Sequence, residues 1–182
     1  MQEAFRAYAE HEEDGEAMDF DEAMLRLATE RCSLWQKIAA REKTLTISAC
    51  TIARDEARDL PRWLENTAVY SDERIVVDTG SKDDTKALAE AAGARVYDYA
   101  WHDDFAAAKN AALARARGEW IAFLDADEYF AMPQSVRPYL AALSVETPAI
   151  EAVMLTIANL DEDDRFKEIQ RFPAVRLFRR RA

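Results

Sequence analysis

The fold of this chain is decided by Trp120-Ile121-Ala122-Phe123-Leu124-Asp125-Ala126-Asp127-Glu128. Its first five residues are apolar and mostly bulky, which is typical of a buried strand in a parallel sheet. Such a strand emerges at the edge where open α/β sheets bind ligands. The acids that follow repel one another unless a positive charge lies between them. The run therefore predicts a divalent cation that carries a phosphate-containing ligand, or else an ordinary strand end with solvated acids.

Composition narrows the class of protein. The chain has 182 residues and a net charge of -11 at pH 7. This length suits one domain with a sizeable core, and the acidic balance argues against nucleic-acid partners, which need a basic surface. We expect no transmembrane segment and no signal peptide, while peripheral membrane association stays open. Cys32 and Cys50 lack metal or redox spacing, so we expect two reduced thiols and a cytoplasmic location.

The chain divides into two predicted parts, a helical N-terminal extension over residues 1–43 and an α/β domain over residues 44–182. The extension opens with an acidic stretch that reaches Glu22. Apolar residues then recur at three- and four-residue steps, which predicts a helix; they are Phe20, Met24, Leu27, Leu34, Trp35 and Ile38. Arg31 interrupts this stripe, so one helix face should pack and the other should be wet. We expect the packed face to dock within the chain rather than on a partner.

From residue 44 the pattern alternates between strands and helices. Strands are predicted over 44–53, 73–78, 94–99, 120–124, 151–160 and 174–179. Helices are predicted from Leu60, where Pro61 suits the first turn, and over 83–92, 104–117 and 135–143. Units of this kind imply right-handed crossovers and a mostly parallel sheet with helices on both faces. The sequence stops soon after its last strand-like run, which we interpret as the end of a fragment.

Two predicted strand ends carry candidate nucleotide-binding residues. Asp78 ends the second strand, where its carboxylate can accept a hydrogen bond from a base N–H or a ribose hydroxyl. Gly80 permits a tight turn, and Ser81 or Asp83 can cap the next helix, which is the more ordinary role for both. The sequence thus predicts a ligand contact for Asp78 and a structural role for its neighbours.

The end of the first strand and the Ala-rich helix complete the set of candidates. Backbone groups of Thr51 and Ala53 are placed to meet a base, and Arg54 and Glu56 could reach ribose or diphosphate, although a solvated loop explains these side chains almost equally well. Lys109 lies inside the Ala-rich helix and could offset the charge of a departing diphosphate. His102 has no second histidine at metal spacing, so we expect only solvent or local contacts for it.

Four segments together resemble the donor-binding half of a family 2 glycosyltransferase with the GT-A (Rossmann-like) fold. In chain order they are residues 51–56, 76–85, 104–110 and 125–128. The resemblance is greatest to the bacterial branch that includes lipopolysaccharide-core β-glucosyltransferases. It implies a nucleotide-diphosphate sugar donor, usually UDP-linked, Mg²⁺ or Mn²⁺, and a saccharide or lipid-linked saccharide acceptor. By resemblance Asp78 meets the nucleobase, Lys109 lies near the diphosphate, Asp125 contacts ribose or a water, and Asp127 binds the metal.

An inverting transfer also needs a general base for the acceptor hydroxyl. Members of that branch continue past the Arg-Leu-Phe-Arg strand into an acceptor segment with a His-Glu-type motif, and the sequence stops before such a segment. The acids Asp161, Glu162, Asp163 and Asp164 are better explained as a solvated turn. We therefore assign no catalytic base, and expect donor and metal binding with weak or no transfer.

Two other functions compete with this interpretation. The Val-Val-Asp-Thr-Gly-Ser run followed by a helix superficially matches a Rossmann-type methyltransferase. That class normally has further glycines where Lys82 and Asp83 stand, and it has no use for two acids after the fourth strand. The second alternative is a noncatalytic nucleotide-binding or interaction module, in which the acidic extension recruits a partner.

Overall fold

The structure is a computed structural model that describes residues 20–161 and 167–181, with side chains described from residue 23 onward. In these ranges the helices are α1 (Phe20–Thr44), α2 (Leu60–Ala68), α3 (Thr85–Ala91), α4 (Phe105–Leu113) and α5 (Val136–Glu146), with a 3₁₀ turn at Pro133–Ser135. The strands are β1 (Ile47–Ala53), β2 (Glu73–Asp78), β3 (Arg95–Asp98), β4 (Trp120–Phe123), β5 (Ala152–Asp161) and β6 (Lys167–Arg179).

All six strands form one sheet in the order β3-β2-β1-β4-β6-β5. The first four in that order are parallel, with Cys50 of β1 opposite Ile75 of β2 and Phe123 of β4. Because parallel strands end at one edge, the segments after β1, β2 and β4 meet there. The mixed α/β sheet predicted from the sequence is confirmed.

The two remaining strands reverse the direction of the sheet. β6 pairs antiparallel with β4, and β5 pairs antiparallel with β6 along almost its whole length, with register shifts after Val153 and after Asn159. β6 is much longer than the predicted 174–179, because pairing with β5 keeps it extended through Pro173, which faces Thr156. The resulting hairpin extends beyond β4 on the side where β4 ends.

Helices cover both faces of the sheet. On one face α2 buries Leu60, Trp63 and Leu64, and α3 buries Ala89, in one cluster with residues of β1 and β2. On the same face α5 buries Leu140 in a cluster with Trp120. The opposite face is covered by α4, whose side chains pack on residues that alternate with those of the first face, namely Cys50, Ile75, Val77, Ile121 and Phe123. This alternation is why the parallel strands read as continuous apolar runs in the sequence.

The N-terminal helix packs across the end of α5. Arg137 of α5 donates to the carbonyl of Leu45 at 2.7 Å and to that of Tyr70 at 2.9 Å, which ties the end of α1 to the domain. Ala23 and Ile38 are buried, whereas Met24 and Trp35 are 47% and 67% exposed. The packed stripe is therefore narrower than predicted. None of the helices in the described part of the chain is long and apolar enough to cross a bilayer.

The Ala-rich helix also ends earlier than the predicted residue 117. After Leu113 the backbone makes shorter-range hydrogen bonds, Arg115 N to Ala112 O and Ala116 N to Leu113 O, both at 3.1 Å. The chain must then bring Gly118 against β1, where its N–H donates to Ser48 Oγ at 2.8 Å. A continued helix could not make this close approach.

Candidate active site

The acidic residues after β4 form a closed turn. Glu128 N donates to the Asp125 carbonyl at 3.0 Å, and Asp125 N donates back to Glu128 Oε2 at 3.1 Å. The turn starts directly after Leu124, whose N–H still bonds to Cys50 of β1 at 3.2 Å. The predicted acids therefore stand at the carboxyl edge of the sheet on a loop with its own hydrogen bonds.

Two basic side chains hold two of the three acids. Arg176 of β6 contacts both oxygens of Glu128 at 2.7 Å, and its Nη2 lies 3.4 Å from Asp125 Oδ2. Lys109 of α4 reaches the other oxygen, Asp125 Oδ1, at 3.2 Å. The Arg176 and Glu128 side chains are only 17% and 16% exposed, so this pair is shielded from water on most sides.

Asp127 is the acid left over. Its carboxylate is exposed and makes no hydrogen bond or ion pair with any residue in the described ranges. Partial desolvation raises its pKa, and the nearby carboxylates of Glu128, Asp125 and Asp59 raise it further. A group in this position gains from a cation that arrives with a ligand.

A cavity of about 780 Å³ opens beside this turn. Its walls come from the start of α2, the segment after β4 and the hairpin β5–β6; they include Arg58, Asp59, Arg62, Asp127, Tyr129, Phe130, Leu155, Ile157, Asn159, Leu160 and Ile169. The Arg62 guanidinium lies 3.6 Å from the centre of the Tyr129 ring, which fixes the position of that ring. The cavity is thus lined by acids and arginines from the start of α2 and the segment after β4, and mostly by apolar groups from the hairpin β5–β6.

Asp78 lies at the end of β2, two strands from β4 in the sheet, and is 2% exposed. Its Oδ2 accepts the N–H of Gly80 at 3.0 Å and that of Ser81 at 3.1 Å. These bonds stabilise a turn in which Gly80 has φ +107°. The carboxylate therefore has a structural role, and its predicted contact with a nucleobase would use lone pairs that the turn leaves unused.

Side chains of the loop after β2 also bond to the backbone of the loop after β1. Ser81 Oγ accepts Asp55 N at 2.9 Å, and Asp83 Oδ2 accepts Ala57 N at 3.0 Å. Asp83 also accepts the N–H of Thr85 at 3.0 Å, but the N-cap of α3 is Asp84, whose side chain makes no capping hydrogen bond, so the prediction that Ser81 or Asp83 caps this helix is wrong. Hydrogen bonds therefore connect the two loops for which nucleotide contacts were predicted from the sequence.

The other predicted nucleotide contacts have different surroundings. Thr51 and Ala53 are buried in β1, and the Ala53 carbonyl already accepts Thr79 N at 2.9 Å. Arg54 is exposed. The pKa of half-buried Glu56 is raised by burial and then by the Asp127 carboxylate, which places Glu56 in the same acidic field as the turn. None of these four lines the cavity in the described structure, and their roles remain predictions.

The start of α4 behaves as the sequence indicates. Asp104 caps the helix by accepting Ala107 N at 2.9 Å, and Lys109 follows about one turn later on the side of Asp125. His102 is exposed and its ring contacts Tyr99 edge-on. Asp161 was predicted to lie in a solvated turn, but it is the last residue of β5 and stands opposite Lys167 of β6, so that prediction is wrong for this residue. The other three acids, Glu162, Asp163 and Asp164, lie outside the described residues.

The described residues contain no group of three or more carboxylate, imidazole or thiol side chains placed to hold a metal ion. Asp127 nevertheless offers carboxylate oxygens, the ligand type preferred by Mg²⁺ and Mn²⁺. These ions often take one or two protein carboxylates and complete their shell with substrate phosphates and water. The residues present thus fit an ion that arrives with a diphosphate rather than one bound permanently.

Apart from Asp125 and Asp127, the residues that line the cavity were not assigned to the site from the sequence, and neither was Arg176. Arg176 had a usable signal, because Ala174, Arg176 and Phe178 share the half-buried face of β6. A charged residue on such a face needs a partner. The partner itself could not be found from sequence, since it lies 48 residues away.

Comparison with known proteins identifies the family of this chain. The family model described as "Glycosyl transferase family 2" matches residues 48–181. A TPR repeat-containing protein of Synechococcus elongatus is 54% identical over 82 residues, which cover 45% of this chain and 20% of that protein. An uncharacterized glycosyltransferase of Rickettsia conorii is 38% identical over 88 residues, 47% of this chain and 31% of its own length.

The fold is also similar to those of solved structures. Glucosyl-3-phosphoglycerate synthase of Mycobacterium tuberculosis, crystallised with UDP, has a TM-score of 0.53 and 27% identity over 63% of this chain and 45% of its own. The same enzyme with Mn²⁺, UDP and glucosyl-3-phosphoglycerate has a TM-score of 0.51 and 26% identity over 63% of this chain and 45% of its own. The chain spans a fifth to a third of the two curated relatives and under half of these crystallised chains.

Proposed function

This chain belongs to glycosyl transferase family 2, and from that premise we propose that it binds a nucleotide-diphosphate sugar, UDP-linked, together with Mg²⁺ or Mn²⁺. The sugar is transferred to an acceptor hydroxyl with inversion at the anomeric carbon. The fold and the match over residues 48–181 support donor binding at the carboxyl edge of the sheet.

The observation that carries this proposal is the charge pattern after β4. Of three acids on one short turn, Asp125 and Glu128 have cationic partners and Asp127 has none among the described residues. An exposed carboxylate with a raised pKa beside a cavity is the arrangement expected of a group that awaits a cation. A strand end with merely solvated acids would not need the two basic partners.

The chain's own residues then have separate tasks. Asp127 offers oxygen ligands to the ion, which when bound supplies Lewis-acid stabilisation of the charge on the leaving diphosphate. Lys109 stands on the α4 side of the turn, where its ammonium group can interact with diphosphate oxygens. The position proposed for the nucleoside is surrounded by residues at the ends of β1 and β2, namely Thr51, Ala53, Arg54, Glu56 and Asp78.

The cavity is the proposed acceptor side. Its aromatic and apolar walls beside a few polar groups suit the face of a sugar ring, so we extend the proposal to saccharide or lipid-linked saccharide acceptors of the lipopolysaccharide-core kind. The general base stays unassigned: Arg176 engages both oxygens of Glu128, and Asp127 is committed to the ion. A cytoplasmic location also remains a prediction.

Isothermal titration with UDP, in Mn²⁺ and then in EDTA, tests donor binding. We expect Mn²⁺ to tighten binding by wild type about tenfold or more, as one charge-assisted contact would, and Asp127→Ala to bind equally in both conditions. Asp78→Asn should weaken binding in both. Melting curves of each variant separate lost binding from lost folding. A wild-type protein that binds S-adenosylmethionine and not UDP would contradict the proposal.

A further inference from the structure

We propose that Arg176 is a positioning residue that fixes the turn Asp125–Glu128, hereafter the acidic turn, so that Asp127 is the acid presented to the cavity. Arg176 itself is not proposed to touch the donor. The consequence for nucleotide binding rests on the proposed function, whereas the consequence for the turn does not.

Arg176 acts on the acidic turn through Glu128. Its Nε and Nη2 each lie 2.7 Å from one oxygen of that carboxylate, a bidentate pairing that allows little rotation. Glu128 Oε2 also accepts the backbone N–H of Asp125. One carboxylate therefore connects β6 to the first residue of the turn, and the backbone bond from Glu128 N to Asp125 O closes the ring.

Arg176 also determines which acid stays free. Its Nη2 faces Asp125 Oδ2 while Lys109 faces Asp125 Oδ1, so Asp125 lies between two cations. With Glu128 engaged as well, two positive side chains balance two negative ones. The remaining negative charge of the turn is on Asp127, whose carboxylate is exposed at the cavity.

The sheet places Arg176 where it can do this. The paired residues of β6 and β4 run from Arg179 opposite Trp120 to Leu177 opposite Ala122. Arg176 is the residue of β6 next to Leu177, and it therefore lies beside the end of β4, where the acidic turn begins. The same hairpin supplies Leu155 and Ile157 to the cavity wall. Arg176 thus joins the acceptor-side wall to the donor-side acids.

Arg179 provides a matched control on the same strand. Its Nη1 lies 2.5 Å from Glu119, and its side chain is 19% exposed, close to the value for Arg176. It lies at the other end of β4, over the ring of Trp120. Arg179→Met therefore removes a comparable ion pair without touching the acidic turn.

The test measures two quantities in wild type, Arg176→Met, Arg176→Lys and Arg179→Met. The first is backbone hydrogen exchange of peptides that cover residues 124–130 in ligand-free protein. The second is the Mn²⁺-dependent increase in UDP affinity. Melting temperatures are recorded alongside, since both Met variants should lose stability.

In Arg176→Met we expect exchange at the Asp125 amide to rise about tenfold, and the Mn²⁺-dependent gain in UDP affinity to fall about tenfold, as for the loss of one charged hydrogen bond. Arg176→Lys should restore part of each, because an ammonium group can meet only one Glu128 oxygen well. Arg179→Met should change neither.

Unchanged exchange over residues 124–130 in Arg176→Met would overturn the proposal, and so would an equal change in Arg179→Met. If wild type shows no UDP binding but the exchange results are as expected, the proposed function fails and the positioning role stands. If wild type gains affinity with Mn²⁺ and Arg176→Met gains as much, the positioning role fails and the proposed function stands.

Discussion

Replacing Asp127 with asparagine should make the ligand-free protein more stable at neutral pH, although it removes the proposed metal ligand. The folded state raises the pKa of Asp127 through desolvation and through the carboxylates of Glu128, Asp125 and Asp59. Its ionised form is therefore less favourable in the folded than in the unfolded chain. Asparagine keeps the size of the side chain and removes the charge.

The size of the effect follows from the surroundings of Asp127. The carboxylate is exposed, so water screens most of the repulsion, and the charges of Asp125 and Glu128 are largely balanced by Lys109 and Arg176. We therefore expect a gain of about 0.5–1 kcal/mol in the free energy of unfolding, the range for exposed charge interactions. For a chain of this length that is a rise of about 1–4 °C in melting temperature.

The pH dependence has a definite sign. Because the folded pKa is raised, the folded state binds the proton more tightly than the unfolded state. Wild type thus loses stability as the pH rises from the ordinary Asp value of about 3.9 through the higher folded value. The advantage of the Asp127→Asn variant should be complete at pH 7 and should disappear below about pH 4.

Binding of UDP with Mn²⁺ should make wild type more stable than Asp127→Asn, the reverse of the order without ligand. UDP with Mn²⁺ at 100 times its dissociation constant stabilises wild type by about 2.7 kcal/mol, whereas the variant gains only what metal-free binding provides. Calorimetric melting at pH 7, with and without UDP and Mn²⁺, measures both effects. Glu90→Gln, an exposed acid on α3, is the control and should show neither. A variant that is no more stable than wild type without ligand, or equally stabilised with it, refutes this reasoning.

Two further predictions concern the core. Gly118→Ala should lower the free energy of unfolding in urea titrations by about 1–3 kcal/mol, because a Cβ there would lie 2.5 Å from Ser48 N of β1. The control is Gly93→Ala, whose Cβ would have an Arg74 side-chain nitrogen at 3.8 Å as its nearest neighbour, so it should show only the cost of its positive φ. A loss of stability in Gly93→Ala as large as in Gly118→Ala would argue against the clash at Gly118. Burial raises the pKa of Cys50 to about 12, whereas Cys32 is exposed. A thiol reagent at pH 8 should therefore label Cys32 alone in the folded chain and both cysteines in denaturant. Rapid labelling of both cysteines without denaturant would contradict the buried position of Cys50.

Elements with strong local signals could be predicted from the sequence. β2 was predicted with its observed bounds, because Ile75, Val76 and Val77 form an apolar run between charged residues. Pro61 marked the first turn of α2, and Gly93 has the positive φ, +78°, that a glycine after a helix suggests. In each case the residues that decide the structure lie within one or two turns of the chain.

Predictions were less accurate for features that depend on contacts between residues far apart in the sequence. The stripe predicted on α1 was too wide, because Ala23 and Ile38 are buried whereas Met24 and Trp35 are exposed. The ligand contact of Asp78 stays a prediction, and the structure adds that its carboxylate closes its own turn through Gly80 and Ser81. A strand-end acid is equally suited to both tasks, so its position in the sequence does not separate them.

The acidic turn shows the same limit inside the site. The sequence predicted that the acids after β4 need positive charge, and that requirement is physical, since neighbouring carboxylates repel. Lys109 was assigned to the site, but its contact with Asp125 was not predicted. Arg176 was not assigned at all, because β6 reaches β4 only through antiparallel pairing, from a position about 50 residues later. Of the acids in this turn, Asp127 is the one without a cationic partner among the described residues, and on that observation we propose a metal shared with a diphosphate rather than a permanent site built from several carboxylates.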